Sequence, residues 1–306
     1  MSLPGVLEMH LVPLPRLIVE PLVRAALLED LGLAGDITSA AVIPHDHRST
    51  VVMAARQPGV IAGLDAAELA FALVDPEIAM RRHRQDGDAV KPGDVIATIE
   101  GPSRGLLTAE RTALNFLGHL SGIATVTAEI AAAIRATKAA VACTRKTTPG
   151  LRALEKYAVR AGGGMNHRFA LHDAVLIKDN HVAIAGGVTE AIRRARAGIG
   201  HLVKIEVEVD TLDQLREAMA TGVDAVLLDN MTPDQLRQAV AIVAGRAITE
   251  ASGRVTPATA AAIAASGVDL ISVGWLTHSA PVLDIGLDFV EANATETSPK
   301  RVAQML

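Results

Sequence analysis

Two adjacent cations, Arg145 and Lys146, closely follow the apolar run AAVAC at residues 139–143. The chain as a whole is acidic, with 29 Lys and Arg against 34 Asp and Glu. The stretch 144–181 reverses this balance, because it carries seven Lys and Arg against three Asp and Glu and holds three of the ten histidines. Guanidinium and ammonium groups suit recognition of carboxylates and phosphates. This local excess of positive charge predicts a ligand that carries several negative charges.

The cations of this stretch fall into two groups. Those that flank apolar strands or the GGG turn are candidate anion ligands: Arg145, Lys146, Arg168 and Lys178. Those with helical spacing are expected to lie with Glu155 on a solvated helix face and outside the site: Arg152, Lys156 and Arg160. His167 adjoins Arg168, and no second His or Cys stands at a zinc-ligand spacing, so an anion donor is favoured over a zinc ligand.

A repeat of strand and helix positions these residues. Short apolar runs are each followed by a longer stretch with helical spacing, and the runs are AAVAC, AVLIK, KIEVEV, AVLLD, AITE and LISV. From Lys178 the strand ends recur after 30, 21, 21 and 23 residues, a rhythm typical of parallel βα units. Such units form either a closed barrel or an open sheet.

Charged residues end nearly every predicted strand: Arg145 and Lys146, Lys178, Glu208, Asp229 and Glu250. In a βα barrel the carboxyl ends of the strands converge on one mouth, so these residues would form a single site. A charge at the start of a surface loop would explain any one of them, but the series favours the barrel. EASG and SVGWLTHS place Ser and Gly before a helix, which suits phosphate binding.

Composition limits the other possibilities. With 306 residues and 50% hydrophobic residues, the chain can bury a large core or two modest ones. Six aromatic residues and a net charge of −5 argue against nucleic acid as a partner. We expect no secretory signal and no apolar run of the roughly 18 residues that a membrane span needs, and the single Cys143 fits a reducing cytoplasm.

The order of the motifs resembles one known family. EDLGLAGDITS, TRKTTPGLRALEKYAVRAGGGMNHR, LIKDNH, EVEV, LLDN, EASG and SVGWLTHS occur as in quinolinate phosphoribosyltransferases, and the resemblance spans nearly the whole chain. It implies an α/β fold with an N-terminal α/β sandwich domain and an incomplete parallel, TIM-like βα barrel. The expected domains are 1–115, joined by the C-terminal segment 286–306, and the barrel at 116–285.

The resemblance also implies a reaction and its residues. The family makes nicotinate mononucleotide, carbon dioxide and pyrophosphate from quinolinate and phosphoribosyl pyrophosphate, with Mg2+, in NAD biosynthesis. The implied substrate-binding residues are Arg111, Thr144, Arg145, Lys146, His167, Arg168, Lys178, Glu208, Asp229, Ser252, Gly253, Val273 and Gly274. The implied catalytic residues are Lys146, Lys178, Glu208 and Asp229, and magnesium is expected at Glu208 and Asp229, directly or indirectly. A homodimer or an assembly of dimers, with Arg111 supplied in trans, is also implied.

The chain departs from the family pattern at three positions. Arg254 stands where the family usually has glycine, Trp275 where it has a small residue, and Ala170 where it has glycine. The phosphate pocket is the part of the site that these departures affect. Trp275 either narrows this pocket or packs against the barrel wall.

Three alternatives remain at this point. Lys178 at a barrel strand end could form a Schiff base, as in class I aldolases, if desolvation lowered its pKa. The chain could be a ModD-like relative without a role in NAD synthesis, although KDNH at 178–181 argues against this. It could also bind the anion without catalysis.

Overall fold

The computed structural model describes residues 11–290, which form two compact units. The N-terminal unit comprises Leu11–Val126, Thr148–Gly162 and residues 279–290, and the barrel unit comprises Thr127–Thr147 and Gly163–His278. The central motif of the sequence is therefore divided between the two units. The predicted domain boundaries stay a prediction, and residues 291–306 of the expected C-terminal segment lie outside the described residues.

The N-terminal unit mixes helices and antiparallel strands. Its elements are α1 (Arg16–Leu31), α2 (Ile37–Val42), β1 (Arg48–Ala55), β2 (Gly59–Val60), α3 (Leu64–Val74), β3 (Ala79–Arg82), β4 (Ala89–Val90), β5 (Val95–Pro102), α4 (Ser103–Ile134, whose end belongs to the barrel unit), α5 (Arg152–Ala161) and the last strand of the described chain, Ile285–Phe289.

One antiparallel sheet organises this unit. The order is Ile285–Phe289, β1, β5, β3, and the last strand pairs with β1 from Ala55↔Ile285 to Val51↔Phe289. β2 and β4 form a separate two-stranded pair. Six residues of α3, whose sequence LDAAELAFALV is almost wholly apolar, are buried, and α1 packs against this helix.

Helix α4 is the longest element, with 32 residues. By length and composition it is apolar enough to cross a membrane, so the expectation that no apolar run approaches a span is wrong. Arg135 and Lys138, the charged residues that follow this apolar segment, lie beyond the end of the helix and do not interrupt it. However, 61% of the most apolar window is buried within the protein, as in the core helix of a folded domain. A single helix of this kind is weak evidence for a membrane span.

Helix α5 corrects a second expectation. Lys156 and Glu155 are fully buried, so this is not a solvated helix face. Glu155 accepts hydrogen bonds from His119 Nε2 at 2.9 Å and from the backbone N–H of Thr148 at 3.0 Å. On the same helix, Tyr157 donates to Asp86 at 2.7 Å. Charged residues at helical spacing therefore do not show whether a helix face is exposed to solvent or is buried with its charges paired.

The barrel unit alternates strands and helices. In chain order they are β6 (Ala140–Ala142), β7 (Val175–Ile177), α6 (Asp179–Ala185), α7 (Val188–Gly198), β8 (Ile205–Val209), α8 (Leu212–Thr221), β9 (Ala225–Asp229), α9 (Pro233–Val243), β10 (Ile248–Ser252), α10 (Pro257–Ala264) and β11 (Leu270–Ser272), followed by a 3-10 helix, Gly274–Thr277. The strand Ile285–Phe289 of the N-terminal unit follows these elements in the chain and is β12.

These six strands form one parallel sheet in the order β6-β11-β10-β9-β8-β7. A complete βα barrel has eight strands. Within the part of the chain that the structure describes, β6 and β7 do not pair, and Met165 makes a single bridge to Ala142 beside the open edge. The fold thus comprises an incomplete parallel βα barrel and a separate antiparallel sheet, as the resemblance implied.

The barrel helices start where the sequence provides caps. Thr211, Thr232 and Thr256 each accept a hydrogen bond from the backbone N–H three residues later, at the start of α8, α9 and α10. Each helix thereby begins soon after its strand ends. The intervening loops at the carboxyl ends of the strands stay short and well defined.

Two glycines of α4 permit the chain to return toward β1. A Cβ on Gly122 would collide with the carbonyl oxygen of Pro281, and one on Gly118 would collide with the carbonyl oxygen of Leu283. Leu283 N–H also donates to Gly118 O at 3.0 Å. The segment that leads into β12 therefore lies directly against the backbone of α4.

We predict that Gly122→Ala destabilises the protein by about 1–3 kcal/mol, because overpacking against backbone is not relieved by a rotamer change. The melting temperature and the denaturation midpoint measure this effect. Gly198→Ala is the matched control, since no atom lies within 4 Å of a Cβ at this helical position. A Gly122→Ala protein as stable as the Gly198→Ala protein would contradict the close contact.

Candidate active site

Two guanidinium groups in the barrel unit lie close together. Arg145 is in the loop after β6, and Arg168 follows the GGG turn and donates from Nη1 to Ala174 O at 3.0 Å. Burial and the nearby Arg145 charge lower the pKa of Arg168. Arg145 Nε is buried and has no hydrogen-bond partner among the described residues. This pair is a site of unmet positive charge that an anion would satisfy.

His167 is held beneath this pair by acidic residues. Its Nε2 lies 2.8 Å from Glu206 Oε2 and 3.6 Å from Glu250 Oε1. Ser272 donates its hydroxyl to Glu250. Sequence analysis placed Glu250 at a strand end, but β10 continues to Ser252 and Glu250 is only 2% exposed.

Lys146 lies on the other side of the loop after β6. Its backbone N–H bonds to Thr144 Oγ1 at 3.0 Å, and its carbonyl accepts the Thr277 hydroxyl at 2.7 Å. A Cβ on Gly274 would lie 2.9 Å from Lys146 Cδ. Because residue 274 is glycine, the exposed Lys146 side chain has room to cross the segment after β11.

A second cluster joins Lys178, Glu208 and Asp229. Lys178 follows β7, and its Nζ lies 3.7 Å from Glu208 Oε2. Burial raises the pKa of Glu208, Lys178 opposes this shift, and the negative charge of Asp229 adds to it. Residues distant in sequence are thus neighbours at the carboxyl ends of β7, β8 and β9, as the barrel argument predicts.

The loops after β9 and β10 contact each other. Asn230 adopts a left-handed backbone conformation (φ 52°), donates to Asp229 Oδ2 at 2.6 Å, and donates its backbone N–H to Ser252 O at 3.0 Å. A Cβ on Gly253 (φ 108°) would collide with the Asn230 side chain, so only glycine fits there. Arg254 is exposed and also left-handed, with φ 45°.

Trp275 and Ala170, the other two departures from the family pattern, and Val273 each have a defined hydrogen bond. Trp275 donates its indole N–H to Val255 O at 2.8 Å, so it packs along the wall and links the segments after β10 and β11. Val273 is buried and donates its N–H to Ala142 O at 2.9 Å. The backbone N–H of Ala170 donates to Asp173 Oδ1 at 2.9 Å, which closes the loop after Arg168.

Arg111 stands apart from the other candidates. It occupies an exposed position of α4 within the N-terminal unit, whereas the other predicted site residues belong to the barrel unit. Two residues near the site were missed by sequence reasoning, Glu206 and Asn230. The alternation of β8 could have revealed Glu206, because residues two apart on a strand share a face and Glu208 was already a candidate.

The comparisons with known proteins agree with this arrangement. The family models described as Quinolinate phosphoribosyl transferase, N-terminal domain and C-terminal domain, match residues 36–121 and 123–288.

Individual relatives cover most of the chain. It is 47% identical over 274 residues to a Mycobacterium leprae protein named nicotinate-nucleotide pyrophosphorylase (carboxylating), covering 87% of this chain and 95% of the relative. It is 44% identical over 266 residues to a Bacillus subtilis protein named probable nicotinate-nucleotide pyrophosphorylase (carboxylating), covering 87% and 91%. The crystal structure of NadC from Streptococcus pyogenes superimposes with a TM-score of 0.88 at 42% identity, covering 92% of this chain and 100% of that one. On this agreement of sequence and fold, the chain belongs to the quinolinate phosphoribosyltransferase family, whose members are enzymes.

Proposed function

We propose that the protein converts quinolinate and phosphoribosyl pyrophosphate to nicotinate mononucleotide, carbon dioxide and pyrophosphate, in NAD biosynthesis. The observation that carries this proposal is the pair of guanidinium groups of Arg145 and Arg168. The Nε of Arg145 is buried, and no described residue accepts a hydrogen bond from it. Quinolinate has carboxylates on adjacent ring carbons, and two adjacent cations suit this spacing. Lys146 completes the proposed quinolinate pocket within the barrel unit, and His167 adjoins it through Arg168.

The second cluster suits the ribosyl half of the reaction. Loss of pyrophosphate from the ribose carbon passes through a state that resembles an oxocarbenium ion, and carboxylates held close to this carbon stabilise its charge. Glu208 and Asp229 are assigned this role, and Lys178 is assigned to hold a substrate anion. Decarboxylation follows because the ring nitrogen is then quaternary and accepts the electron pair that leaves with carbon dioxide.

The phosphate groups are assigned to the loops after β10 and β11. Ser252 and Gly253 supply a hydroxyl and a close backbone approach, and Val273 and Gly274 belong to the segment crossed by Lys146. Arg254 faces solvent at the edge of this region and can add a phosphate contact. Trp275 is engaged with Val255 O, which supports packing along the wall over obstruction of the pocket.

The residues present fit magnesium as the metal. Glu208 and Asp229 offer hard carboxylate oxygens close enough for the Asp229 charge to raise the pKa of Glu208, after the larger effect of burial. Magnesium, when bound, neutralises charge on the pyrophosphate group. Asn230 holds Asp229 by a 2.6 Å hydrogen bond and so orients one of the two carboxylates.

Partners and location complete the proposal. The protein acts on small molecules, without nucleic acid or a membrane, and works in the cytoplasm as a homodimer or an assembly of dimers. In such an assembly, Arg111 of one subunit serves the site of its neighbour. The exposed position of Arg111 and its membership of a different unit from the other site residues support this assignment.

The alternatives are less well supported. The Lys178 side chain is 50% exposed and its Nζ lies 3.7 Å from the Glu208 carboxylate, so it lacks the desolvated pocket that activates a Schiff-base lysine. Borohydride trapping with a carbonyl substrate would reveal a Schiff base. A protein that only binds the anion would take up quinolinate saturably without releasing pyrophosphate.

We predict that quinolinate is turned over in preference to nicotinate by at least about a hundredfold in kcat/KM, since each unmatched charge-assisted contact costs about 1.5–3 kcal/mol. Product formation from each acid with phosphoribosyl pyrophosphate measures this preference. Comparable turnover of the two acids would overturn the assignment of the cation pair.

We also predict that activity depends on magnesium. Treatment with a chelator should abolish pyrophosphate release, and added Mg2+ should restore it, while the melting temperature stays within about 2 °C because the carboxylates are not structural metal ligands. Full turnover in excess chelator would contradict the assignment of Glu208 and Asp229.

Mixed subunits test the shared site. Arg111→Ala and Lys178→Ala proteins should each be inactive, and exchange of subunits between them should restore activity. The mixed dimer regains one intact pocket, with Lys178 from one chain and Arg111 from the other. If each chain builds its whole site alone, every pocket keeps one lesion and the mixture stays inactive. Subunit exchange is verified separately with fluorescently labelled subunits.

A further inference from the structure

Three polar side chains are buried in the barrel unit beside His167, and the proposed function gives them no role. Glu206 on β8, Glu250 on β10 and Ser272 on β11 are 9%, 2% and 4% exposed. One nitrogen of His167 and one carboxyl oxygen each of Glu206 and Glu250 lie within 4.8 Å of one another. Glu206 precedes Glu208 by two residues and Glu250 precedes Ser252 by two, so the cluster shares the face of the sheet that carries the proposed site.

The tautomer of His167 follows from its neighbours. The backbone N–H of Arg168 donates to His167 Nδ1 at 2.7 Å, so Nδ1 carries a lone pair and no proton. The proton of the neutral ring is then on Nε2, which donates to Glu206 Oε2 at 2.8 Å. Both ring nitrogens are engaged within the protein, and the ring acts on the substrate through Arg168.

The same tautomer argues against a metal ion in the cluster. Nε2 is the ring nitrogen that faces both carboxyl groups, and a nitrogen that carries a proton has no lone pair for a metal. A proton on one of the two carboxyl groups would instead let that group donate a hydrogen bond to the other. Without a proton between the two carboxyl groups, buried Glu206 Oε1 has no hydrogen-bond partner among the described residues.

A proton on Glu250 resolves this conflict. Its hydroxyl then donates to Glu206, and its other oxygen accepts from Ser272, so each member of the chain of hydrogen bonds has a partner. Burial, followed by the negative charge of Glu206, raises the pKa of Glu250 to about 7. A hydrogen bond between the two carboxyl groups contributes in the same direction.

We propose that Ser272, Glu250 and Glu206 are positioning residues: Glu206 accepts the Nε2–H of His167, a protonated Glu250 donates to Glu206, and this chain fixes the His167 tautomer and so holds Arg168 for the substrate carboxylate. This inference rests on the proposed function, because that function assigns Arg168 to quinolinate. It differs from the role implied by resemblance, in which His167 itself contacts the substrate. The hydrogen bond from Arg168 Nη1 to Ala174 O also holds the Arg168 side chain in place.

The test compares two substitutions of Glu250. Glu250→Gln keeps a donor toward Glu206 and an acceptor for Ser272, so its KM for quinolinate should stay within about twofold of the unsubstituted protein. Glu250→Met keeps the length but leaves Glu206 Oε1 unpaired, so its KM for quinolinate should rise by about tenfold or more. The KM for phosphoribosyl pyrophosphate should change less than about twofold in both proteins, because neither substitution touches the assigned phosphate loops.

Thr249→Val is the matched control. Thr249 is the adjacent residue of β10, is also 2% exposed, and donates its hydroxyl to Asp269 at 2.7 Å, away from the cluster. Its loss should lower the melting temperature without changing the KM for quinolinate. The proposal is overturned if Glu250→Gln is impaired as strongly as Glu250→Met, or if Glu250→Met raises the KM for both substrates equally.

An infrared measurement tests the proton without any assay of activity. The difference spectrum between the unsubstituted protein and Glu250→Gln, below neutral pH, should show the carbonyl stretch of one protonated carboxyl group. Absence of this band, or a stoichiometric metal ion lost on Glu250→Gln substitution, overturns the proposal. The readout remains valid if Glu250→Met fails to fold, and an unsubstituted protein that does not turn over quinolinate would overturn the proposed function alone.

Discussion

Repulsion between the guanidinium groups of Arg145 and Arg168 is the interaction on which the site depends. Two like charges in a half-buried setting cost free energy until an anion arrives, and burial, followed by the Arg145 charge, lowers the pKa of Arg168. Two buried acidic groups of the barrel unit, Glu206 and Glu250, are occupied with His167. An anionic ligand that pairs with these two cations would remove this cost, and the free energy released would contribute to its binding.

The open barrel makes this arrangement possible. Parallel strands with short capped connections place the ends of β7, β8 and β9 side by side, so Lys178, Glu208 and Asp229 meet although they are far apart in sequence. The layer beneath contains the acid pair and Ser272 in place of the branched aliphatic residues common in barrel interiors. This polar layer supports the cationic layer above it.

Much of the fold and part of the site could be predicted from the sequence. All six parallel strands were read from apolar runs, because buried parallel strands are nearly continuous apolar segments. The burial of Lys156 could not be read, since helical spacing of charges is the same on a solvated and a buried face. Glu250 was assigned to a strand end because a charge inside a barrel is rarer than one at its rim. The contact between Asn230 and Gly253 depends on left-handed backbone conformations in two different loops, which apolar patterning does not encode.

The pairing of β12 with β1 has a consequence for synthesis of the chain. β1 precedes every strand of the barrel unit in the chain, and among the described residues its outer edge is covered by residues 285–289. A ribosome releases this covering strand only after all the barrel strands, so the N-terminal sheet stays incomplete while the barrel unit is being made. An uncovered edge strand is a template for pairing with other chains. Nascent chains that crowd on one messenger RNA are therefore exposed to mispairing at β1 until the last strand emerges, and the barrel unit, whose strands all precede β12, can fold first.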